Sequence, residues 1–298
     1  MSNTIHYTNC PVCGGKDIHD VFQVKDYTVS GQAFMLTECK ACLARFTQDV
    51  PDATAIGIYY KSDDYISHTD TSKGLINRLY QLVRKRTIRQ KRKLICRITG
   101  LQQGALLDVG SGTGFFAAEM KRKGWMVTGL EPDFAARQIA AKNNGIELKD
   151  INEFFHLQPG TFDVITLWHV LEHVHDLQEY MAQLKKLLKP EGKLVIAVPN
   201  YTSADAAIYG PFWAAYDVPR HLYHFSPSSV KKLAEKHGLK ISKHYPMWFD
   251  SFYVAMLSSR YKNGTTNLFS AFLNGLRSNL KAISDVKKCS SVIYVLNH

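Results

Sequence analysis

One stretch of the sequence, residues 105–131, restricts the fold more than any other. It reads ALLDVGSGTGFFAAEMKRKGWMVTGLE: an apolar run, three alternating glycines, an amphipathic pattern that ends at Gly124, and a second apolar run. A strand, a glycine-rich turn, a helix and a second strand form a βαβ unit, with the turn at the carboxyl edge of a parallel sheet. The stretch therefore predicts an α/β fold with a site for a nucleotide-like ligand at that edge.

The spacing of the glycines and acids indicates which ligand this turn receives. A dinucleotide pattern can be read as Gly112-x-Gly114-x-x-Ala117, which leaves a nicotinamide or flavin enzyme open. The pattern Asp108-x-Gly110-x-Gly112-x-Gly114 fits better, because an acid ends the strand and three alternating glycines follow it. With this pattern the sequence resembles the class I S-adenosylmethionine-dependent methyltransferases, whose first motif has the same form.

The resemblance implies a fold, a cofactor and a set of binding residues. The fold is α/β, a Rossmann-like seven-stranded sheet whose last strand is antiparallel. The glycines would admit the amino-acid part of S-adenosylmethionine, the acid one strand later would accept both ribose hydroxyls, and an aromatic face would meet the cation. The expected cofactor-binding residues are Asp108, Gly110, Ser111, Gly112, Gly114, Phe115, Glu131, Pro132, Trp168 and His169.

The rest of the chain supplies further elements in the order that this fold requires. The runs IELKD (146–150), FDVITLW, KLVIAVPN and SSVIYVL read as strands, the first of them short, and a helical insertion near NLFSAFLNGLRSNLKAI precedes the last one. We predict a zinc-ribbon-like domain over 1–52, a Tyr-rich segment and basic linker helix over 53–100, and a methyltransferase domain over 101–298. A ribbon and a Tyr-rich segment before such a domain resemble a subgroup that includes nucleotide-sugar C-methyltransferases.

Four cysteines form two Cys-x-x-Cys knuckles near the N-terminus, a spacing typical of a structural Zn²⁺ site. The alternative is four buried or redox-active thiols. Leu43 follows the second knuckle where glycines follow the first, so we expect a less regular second turn. Residues 10–50 are nearly neutral, which favours a structural ribbon over a nucleic-acid finger. The expected metal ligands are Cys10, Cys13, Cys39 and Cys42.

Histidines supply the candidate catalytic groups. The segment His169-Val-Leu-Glu172-His173 matches the H-x-x-E-H motif of zinc proteases, which provides a rival enzyme class. It begins where a parallel strand ends, rather than within a helix, and this context argues against a protease. In a methyltransferase cleft, His169 or His173 would act as a general base toward a substrate hydroxyl, or would only fix the loop by hydrogen bonding. The catalytic candidates are His169, His173 and His221.

Two aromatic segments are candidates for substrate contact. The long connection over residues 200–227 is rich in aromatic residues and should cover the acceptor pocket, although much of it could equally be core beneath a loop. In the subgroup named above, tyrosines that precede the catalytic domain fold back over the active site. The expected substrate-contacting residues are Tyr60, Tyr65, His68, Arg220 and His221.

Charge and hydropathy limit the partners. The 37 Lys and Arg exceed the 26 Asp and Glu, and the net charge of +11 favours anionic partners, including a phosphate-bearing acceptor. The densest basic run, residues 84–93, lies in the linker helix, which either contacts an anionic surface such as a membrane or nucleic acid or forms a solvated face. Without a secretory signal or a spanning apolar run, and with unpaired cysteines, we expect a cytoplasmic protein.

These observations predict an enzyme that moves a methyl group from S-adenosylmethionine to a small-molecule acceptor. The favoured acceptor atom is an oxygen of a sugar, sugar nucleotide, quinone or related metabolite, and a sugar carbon is the next candidate. Nucleic acid is a disfavoured partner, because no base-stacking pattern is evident. The alternatives are a module that binds S-adenosylmethionine without catalysis and, more remotely, the zinc protease.

Overall fold

The N-terminal region is a small β structure that carries the cysteine knuckles. The computed structural model describes residues 3–60 and 75–298. Two short strands pair with each other, three longer ones form an antiparallel sheet, and a 3₁₀ helix spans Ile56–Tyr60. The strands are β1 (Thr4–Ile5), β2 (Ile18–Lys25), β3 (Ala33–Cys39), β4 (Arg45–Thr47) and β5 (Val50–Pro51).

A six-stranded sheet forms the centre of the C-terminal region. The five-residue strand of the βαβ unit is completely buried, as is typical of a parallel strand covered on both faces. The strands of the six-stranded sheet are β6 (Ala105–Val109), β7 (Met126–Leu130), β8 (Phe162–Trp168), β9 (Leu188–Pro199), β11 (Lys240–Pro246) and β12 (Ser291–Asn297). The spatial order is β11-β12-β9-β8-β6-β7; β7, β6, β8 and β9 are parallel, whereas β12 is antiparallel to both of its neighbours.

Helices cover both faces of this sheet, and alternate strand residues contribute to two apolar cores. Leu106 and Val164 face the core that contains Ile95, whereas Leu107 and Ile165 face the opposite core. The helices are α1 (Leu75–Thr99), α2 (Phe115–Arg122), α3 (Phe134–Asn144), α4 (Leu177–Leu187), α5 (Ala204–Tyr209), α6 (Pro227–Lys236), α7 (Asp250–Asn263) and α8 (Leu268–Ser284). None of the helices in the described part of the chain is long and apolar enough to cross a membrane.

The Rossmann-like α/β fold predicted from the sequence is confirmed, with one difference in the strand count. The segment 146–150, expected to be a third parallel strand, forms only an isolated bridge between Leu130 and Lys149. It contains Glu147, Lys149 and Asp150, so it has too few apolar side chains for a buried edge strand. The helical insertion before the last strand consists of two helices, α7 and α8, rather than one.

The N-terminal sheet also contains a strand from the C-terminal region. Strand β10 (Tyr223–His224) lies in the 200–227 connection and pairs with β4, in the register Tyr223–Phe46 and His224–Arg45. The sheet order is therefore β10-β4-β3-β2. Hydrogen bonds cross the expected boundary at residue 52, which brings the cysteine region onto the loop expected to cover the acceptor pocket.

Candidate functional site

The glycine-rich turn lies directly after β6, and its three alternating glycines all have positive φ angles, from 55° to 77°. A Cβ atom at Gly110 would lie 2.4 Å from the Val170 side chain, and one at Gly114 would lie 2.8 Å from Ile146. A Cβ at Gly112 would meet nothing within 4 Å. The turn therefore needs glycine for its backbone and packing, and it leaves open space at Gly112 for a ligand to approach the main chain.

Glu131 faces this turn from the end of the neighbouring strand. Its side chain accepts a hydrogen bond from the Gly112 amide at 2.7 Å and one from the Asp133 amide at 3.0 Å. Burial raises the pKa of Glu131, although these two amides oppose the shift. The carboxylate that is expected to bind the ribose thus faces the glycine-rich turn, and Pro132 directly follows Glu131.

Asp108 lies at the base of the turn and is 2% exposed. The Thr166 hydroxyl donates to its Oδ1 at 2.6 Å, and the Ser111 hydroxyl donates to its backbone carbonyl at 2.9 Å. Burial raises the pKa of Asp108 to about 6, although the Thr166 hydrogen bond and the Lys91 charge oppose that rise. When it is ionised, a carboxyl group buried at this place would attract a cationic ligand to the turn.

Helix α1 places two basic side chains over aromatic rings near the glycine-rich turn. The Lys91 ammonium lies 4.2 Å from the Trp168 ring centroid, and the Arg84 guanidinium lies 3.8 Å from that of Phe115. Burial lowers the pKa of Lys91 to about 8, against the Asp108 charge. The Trp168 indole N–H is buried with no acceptor among the described residues. The sequence assigned Lys91 to a basic run and gave no signal that it enters the site.

His169 lies between two carboxylates. It has a φ of 58°, and its ring nitrogens lie 2.8 Å from Asp250 and 3.3 Å from Glu172. Burial alone would lower the pKa of His169, but these carboxylates outweigh burial and raise it to about 10. The ring is therefore protonated at neutral pH and has no lone pair for a substrate proton. This corrects the prediction of His169 as a general base; its place beside Trp168 agrees with a cofactor-side position.

His173 has the opposite electrostatic environment. Its Nδ1 lies 3.0 Å from the Arg220 carbonyl oxygen and 3.0 Å from the Tyr60 hydroxyl. A carbonyl oxygen can only accept, so Nδ1 carries the proton and Nε2 keeps a lone pair. Burial and the nearby His221 lower the pKa of His173 to about 4. The neutral ring has the protonation state that a general base requires.

His221 and Glu172 complete this cluster. The His221 ring is 4.6 Å from that of His173, and its Nδ1 donates to the Ala215 carbonyl at 2.9 Å. Burial raises the pKa of Glu172, but the hydrogen bond and the charge of His169 outweigh burial and lower it below its usual value. The carboxylate is therefore ionised. Glu172 is completely buried, and its Oε2 has no hydrogen-bond partner among the described residues. The cluster therefore provides a neutral imidazole beside an acceptor-only carboxylate.

Arg220, expected to face substrate, lies elsewhere. Its side chain is 1% exposed and forms ion pairs with Asp26 at 3.0 Å and Asp217 at 2.7 Å. The guanidinium also donates to the Tyr59 carbonyl at 2.8 Å. Arg220 thus joins the N-terminal sheet to the 200–227 connection, and only its backbone carbonyl reaches His173. The expected substrate residues Tyr65 and His68 lie outside the described residues.

The protease interpretation does not fit this geometry. A 3₁₀ helix spans only Leu171–His173, and His169 precedes it in a left-handed conformation. The two motif histidines therefore do not share one face of an α-helix. Potential metal ligands do cluster within 4.8 Å of one another at Glu172, His173 and His221, a set that leaves out His169.

The four knuckle cysteines do have the arrangement of a metal site. Their sulfur atoms all lie within 4.8 Å of one another, and the Cys10–Cys42 and Cys13–Cys39 pairs are each separated by 3.6 Å. A disulfide requires about 2.05 Å, whereas tetrahedral Zn–S bonds of about 2.3 Å place sulfurs roughly 3.8 Å apart. The Gly15 amide also points at the Cys13 sulfur, at 3.4 Å. The donor set therefore fits a four-coordinate soft metal ion.

The second knuckle is as regular as the first, contrary to expectation. The amides of Gly14 and Leu43 donate to the carbonyls of Cys10 and Cys39, each at 2.8 Å. Leu43 adopts the same left-handed conformation as Gly14, with a φ of 59° against 82°. Its carbonyl accepts hydrogen bonds from Tyr201 at 2.8 Å and from Ser226 at 2.9 Å. Contacts with the 200–227 connection thus hold a leucine where glycine is usual.

A cavity of about 570 Å³ opens between α1 and the segment that joins β11 to α7. It is large enough for a small molecule. Asp250, the partner of His169, forms part of its wall. The other walls combine cationic and aromatic side chains, among them Arg84, Lys91, Arg97, Trp248, Phe249 and Tyr253.

Comparisons with known proteins indicate the family and the fold. A family model for a methyltransferase domain matches residues 80–244. The ubiquinone biosynthesis O-methyltransferase of Pectobacterium carotovorum is 35% identical over 133 residues, covering 42% of this chain and 56% of the relative. The enzyme of the same name from Xanthomonas euvesicatoria is 28% identical over 169 residues, covering 52% and 71%. The chain thus matches little more than half the length of the first relative.

Two solved structures are similar in fold. One is described as a sarcosine dimethylglycine methyltransferase from Galdieria sulphuraria, with a TM-score of 0.50, 18% identity, and coverage of 71% of this chain and 84% of that one. The other is phosphoethanolamine N-methyltransferase 2 of Haemonchus contortus, in complex with S-adenosyl-L-methionine. Its TM-score is 0.51 at 15% identity, and 89% of this chain and 63% of that one are covered. At these identities the similarity concerns the fold alone.

Proposed function

Because the chain belongs to the methyltransferase domain family, we propose that it transfers a methyl group from S-adenosylmethionine to a small-molecule acceptor. The observation that carries this proposal is the open glycine-rich turn facing Glu131, whose carboxylate lies 2.7 Å from the Gly112 amide. A buried carboxylate beside free main-chain surface suits a ligand with both a diol and an amino-acid group.

Residues from four parts of the fold would hold the cofactor. Glu131 would accept the ribose hydroxyls, and the turn at Gly110, Ser111 and Gly112 would receive the amino-acid part. The unpartnered Trp168 N–H offers a hydrogen bond, and the Lys91 ammonium offers an ion pair to a carboxylate. When bound, S-adenosylmethionine supplies a methyl group on a sulfonium, an electrophile that reacts by in-line displacement.

His173 is the proposed general base. Its Nε2 lone pair would take the proton of an acceptor hydroxyl while the acceptor oxygen bonds to the methyl carbon. The electron pair of the broken carbon–sulfur bond would remain on sulfur. The imidazolium so formed would be stabilised by the ionised Glu172, and His173 would keep its orientation through the Arg220 carbonyl and Tyr60. Protonated His169 would instead define the wall between cofactor and acceptor.

The acceptor we favour carries a reactive oxygen on a quinol, sugar, sugar nucleotide or related metabolite, with a sugar carbon as the second choice. The curated relatives are O-methyltransferases by name, which supports oxygen. The 570 Å³ cavity includes Asp250, the partner of His169, but not His173, and its cationic and aromatic walls suit a planar or phosphate-bearing part of such a molecule. A rate that saturates with a quinol or a sugar nucleotide, but not with both, would distinguish these classes.

We assign Zn²⁺ to the four cysteines, and we keep the division into 1–52, 53–100 and 101–298 as a proposal. The metal would fix both knuckles, and the second would hold the 200–227 connection through the Leu43 carbonyl. Six cysteines without a disulfide suit a reducing compartment such as the cytoplasm. We expect one zinc per chain by elemental analysis, and none after Cys13→Ser with Cys39→Ser. Zinc retained by that double variant would contradict the assignment.

Cofactor identity can be tested by thermal unfolding with S-adenosylmethionine, S-adenosylhomocysteine, NAD and FAD. A ligand at about 100 times its Kd adds about 2.7 kcal/mol, which raises the Tm by several degrees. We expect this rise with the first two ligands only. A rise with NAD and none with S-adenosylhomocysteine would overturn the proposal. Binding without turnover on any acceptor class, in a chain that retains zinc, would favour the non-catalytic module.

A further inference from the structure

Helix α8 is packed the opposite way round from an ordinary surface helix. Its buried residues are small: Ala271, Gly275, Ser278 and Ala282. Its large apolar side chains point outward, between 38% and 74% exposed. These residues, which we call the apolar stripe, are Leu268, Phe269, Phe272, Leu273, Leu276, Leu280 and Ile283.

The apolar stripe is continuous rather than scattered. At about 100° per residue, its seven members fall within an arc of about 140° on one side of the helix. Close packing fixes the opposite side: a Cβ at Gly275 would lie 2.7 Å from the Phe252 ring, and Ser278 donates to Asp205 at 2.7 Å. The helix therefore cannot rotate its large residues inward without losing these contacts. A continuous exposed apolar face of this kind marks an interaction surface.

The charged residues of α8 and of the turn before it are all basic, and the next acidic residue along the chain is Asp285, at the C-cap of α8. From residue 251 through 284 the sequence has no acidic residue, whereas Arg260, Lys262, Arg277 and Lys281 are basic. All four are exposed. Arg277 and Lys281 lie along one edge of the stripe by helical spacing. Two copies of this surface would bring like charges together, which disfavours self-association.

We propose that the apolar stripe docks α7 and α8 onto an anionic lipid surface. Large apolar residues on one face and basic residues beside them are the composition of helices that lie in the membrane interface. Lysine and arginine near such a surface are attracted by anionic headgroups. This site is separate from the basic helix α1, whose Arg84, Lys91 and Arg92 contact Phe115, Trp168 and Glu119 within the protein.

The location gives docking a consequence for the reaction. The Asn279 side chain on α8 donates to the Trp248 carbonyl at 2.8 Å, and Trp248 lines the 570 Å³ cavity. Helix α8 therefore contacts the wall of the cavity, and an acceptor with an apolar tail could enter from the lipid. This last step rests on the proposed function, whereas docking itself does not.

Co-sedimentation of the full-length, zinc-loaded chain with vesicles tests docking. One vesicle set is phosphatidylcholine alone and the other contains about a third phosphatidylglycerol; binding is measured without cofactor or acceptor. We expect binding to the anionic vesicles that weakens as salt shortens the Debye length. The double substitution Phe269→Gln and Ile283→Gln should lower the partition coefficient roughly tenfold or more. Both side chains exceed 70% exposure, so folding should be retained.

A matched control and a second measurement keep the outcomes separate. Met126→Gln removes a side chain that is 70% exposed at the far edge of the sheet, and it should leave vesicle binding unchanged. Equal binding by the stripe variant and wild type, or no binding to anionic vesicles, would overturn docking. A wild-type dimer in light scattering that becomes monomeric in the stripe variant would assign the surface to a second copy instead. Methyl transfer to a soluble acceptor tests the proposed function independently.

Discussion

Replacing Arg220 by methionine should destabilise the whole protein, because this side chain joins its two halves. The guanidinium is 1% exposed and pairs with Asp26 and Asp217. Methionine fills much of the same volume but leaves two carboxylates without their cation. Removing one partner of a buried ion pair typically destabilises by about 3–5 kcal/mol. We place the loss near the lower limit, about 3 kcal/mol, because Asp26 keeps other hydrogen-bond donors.

The pKa of Asp26 gives the pH dependence of this effect. Burial raises it, but hydrogen bonds from Ser30 and Thr28 and the Arg220 charge outweigh burial and lower it to about 2, from 3.8. A depressed carboxyl pKa stabilises the fold above the unfolded-state value, and this stabilisation disappears as the pH falls through the folded-state value. The difference between wild type and Arg220→Met should therefore be full above about pH 4 and should shrink toward pH 2.

Urea unfolding of the zinc-loaded chain at pH 7 measures the change, and Asp26→Asn completes a double-mutant cycle. With both residues neutral, one uncompensated buried charge is removed, so the double variant should lose less than the sum of the two single losses. We expect a coupling free energy of about 1–3 kcal/mol. An Arg220→Met protein within 1 kcal/mol of wild type would refute the reasoning. If its KM for the acceptor also rose, Arg220 would instead be a substrate residue, as the sequence suggested.

Three further substitutions test the proposed site. Glu131→Gln should raise the Kd for S-adenosylhomocysteine roughly 10–100-fold in calorimetry, since hydrogen bonds to a charged group contribute about 1.5–3 kcal/mol; an unchanged Kd would contradict the ribose role. His173→Asn should lower kcat about 10²–10⁴-fold with cofactor affinity retained, and an unchanged kcat would exclude it as the base. Asp250→Asn should lower the pKa of His169 from about 10, visible in an NMR titration. A histidine whose pKa is raised in the fold stabilises it fully below about pH 6.5, and this stabilisation is lost as the pH rises through 10. If wild type still had a higher free energy of unfolding than Asp250→Asn at pH 11, that result would contradict this assignment.

The sequence indicates correctly that the glycine-rich turn and Glu131 lie together, because both belong to one local unit. The alternating glycines and the acid one strand later lie within a single βαβ unit, so their spacing alone brings Gly112 and Glu131 together. The knuckle cysteines are similar, since each pair is fixed by a two-residue turn. The local signal is weak in the short polar segment 146–150. A strand is predicted there, but only an isolated bridge forms.

The catalytic side depends on contacts between distant residues, and sequence reasoning cannot rank its histidines. His169 and His173 are four positions apart, yet Asp250 and Glu172 raise the pKa of His169 to about 10, whereas burial and His221 lower that of His173 to about 4. Nothing near residue 169 signals Asp250, which enters from α7. Lys91 was missed for the same reason, since a lysine within a basic run gives no indication of which side chain turns inward.

The N-terminal region contacts the proposed acceptor side of the site through two hydrogen bonds. The Thr47 hydroxyl on β4 donates to the His221 carbonyl at 2.7 Å, and β4 pairs with β10 just beyond it. Tyr60, the last residue of the following 3₁₀ helix, contacts His173. We expect a metal at the knuckles to order β4, which contacts the His221 carbonyl, whereas the glycine-rich turn packs against Val170 and Ile146. Loss of the metal should accordingly impair turnover more than cofactor binding, because the hydrogen bonds from β4 and Tyr60 go to His221 and His173.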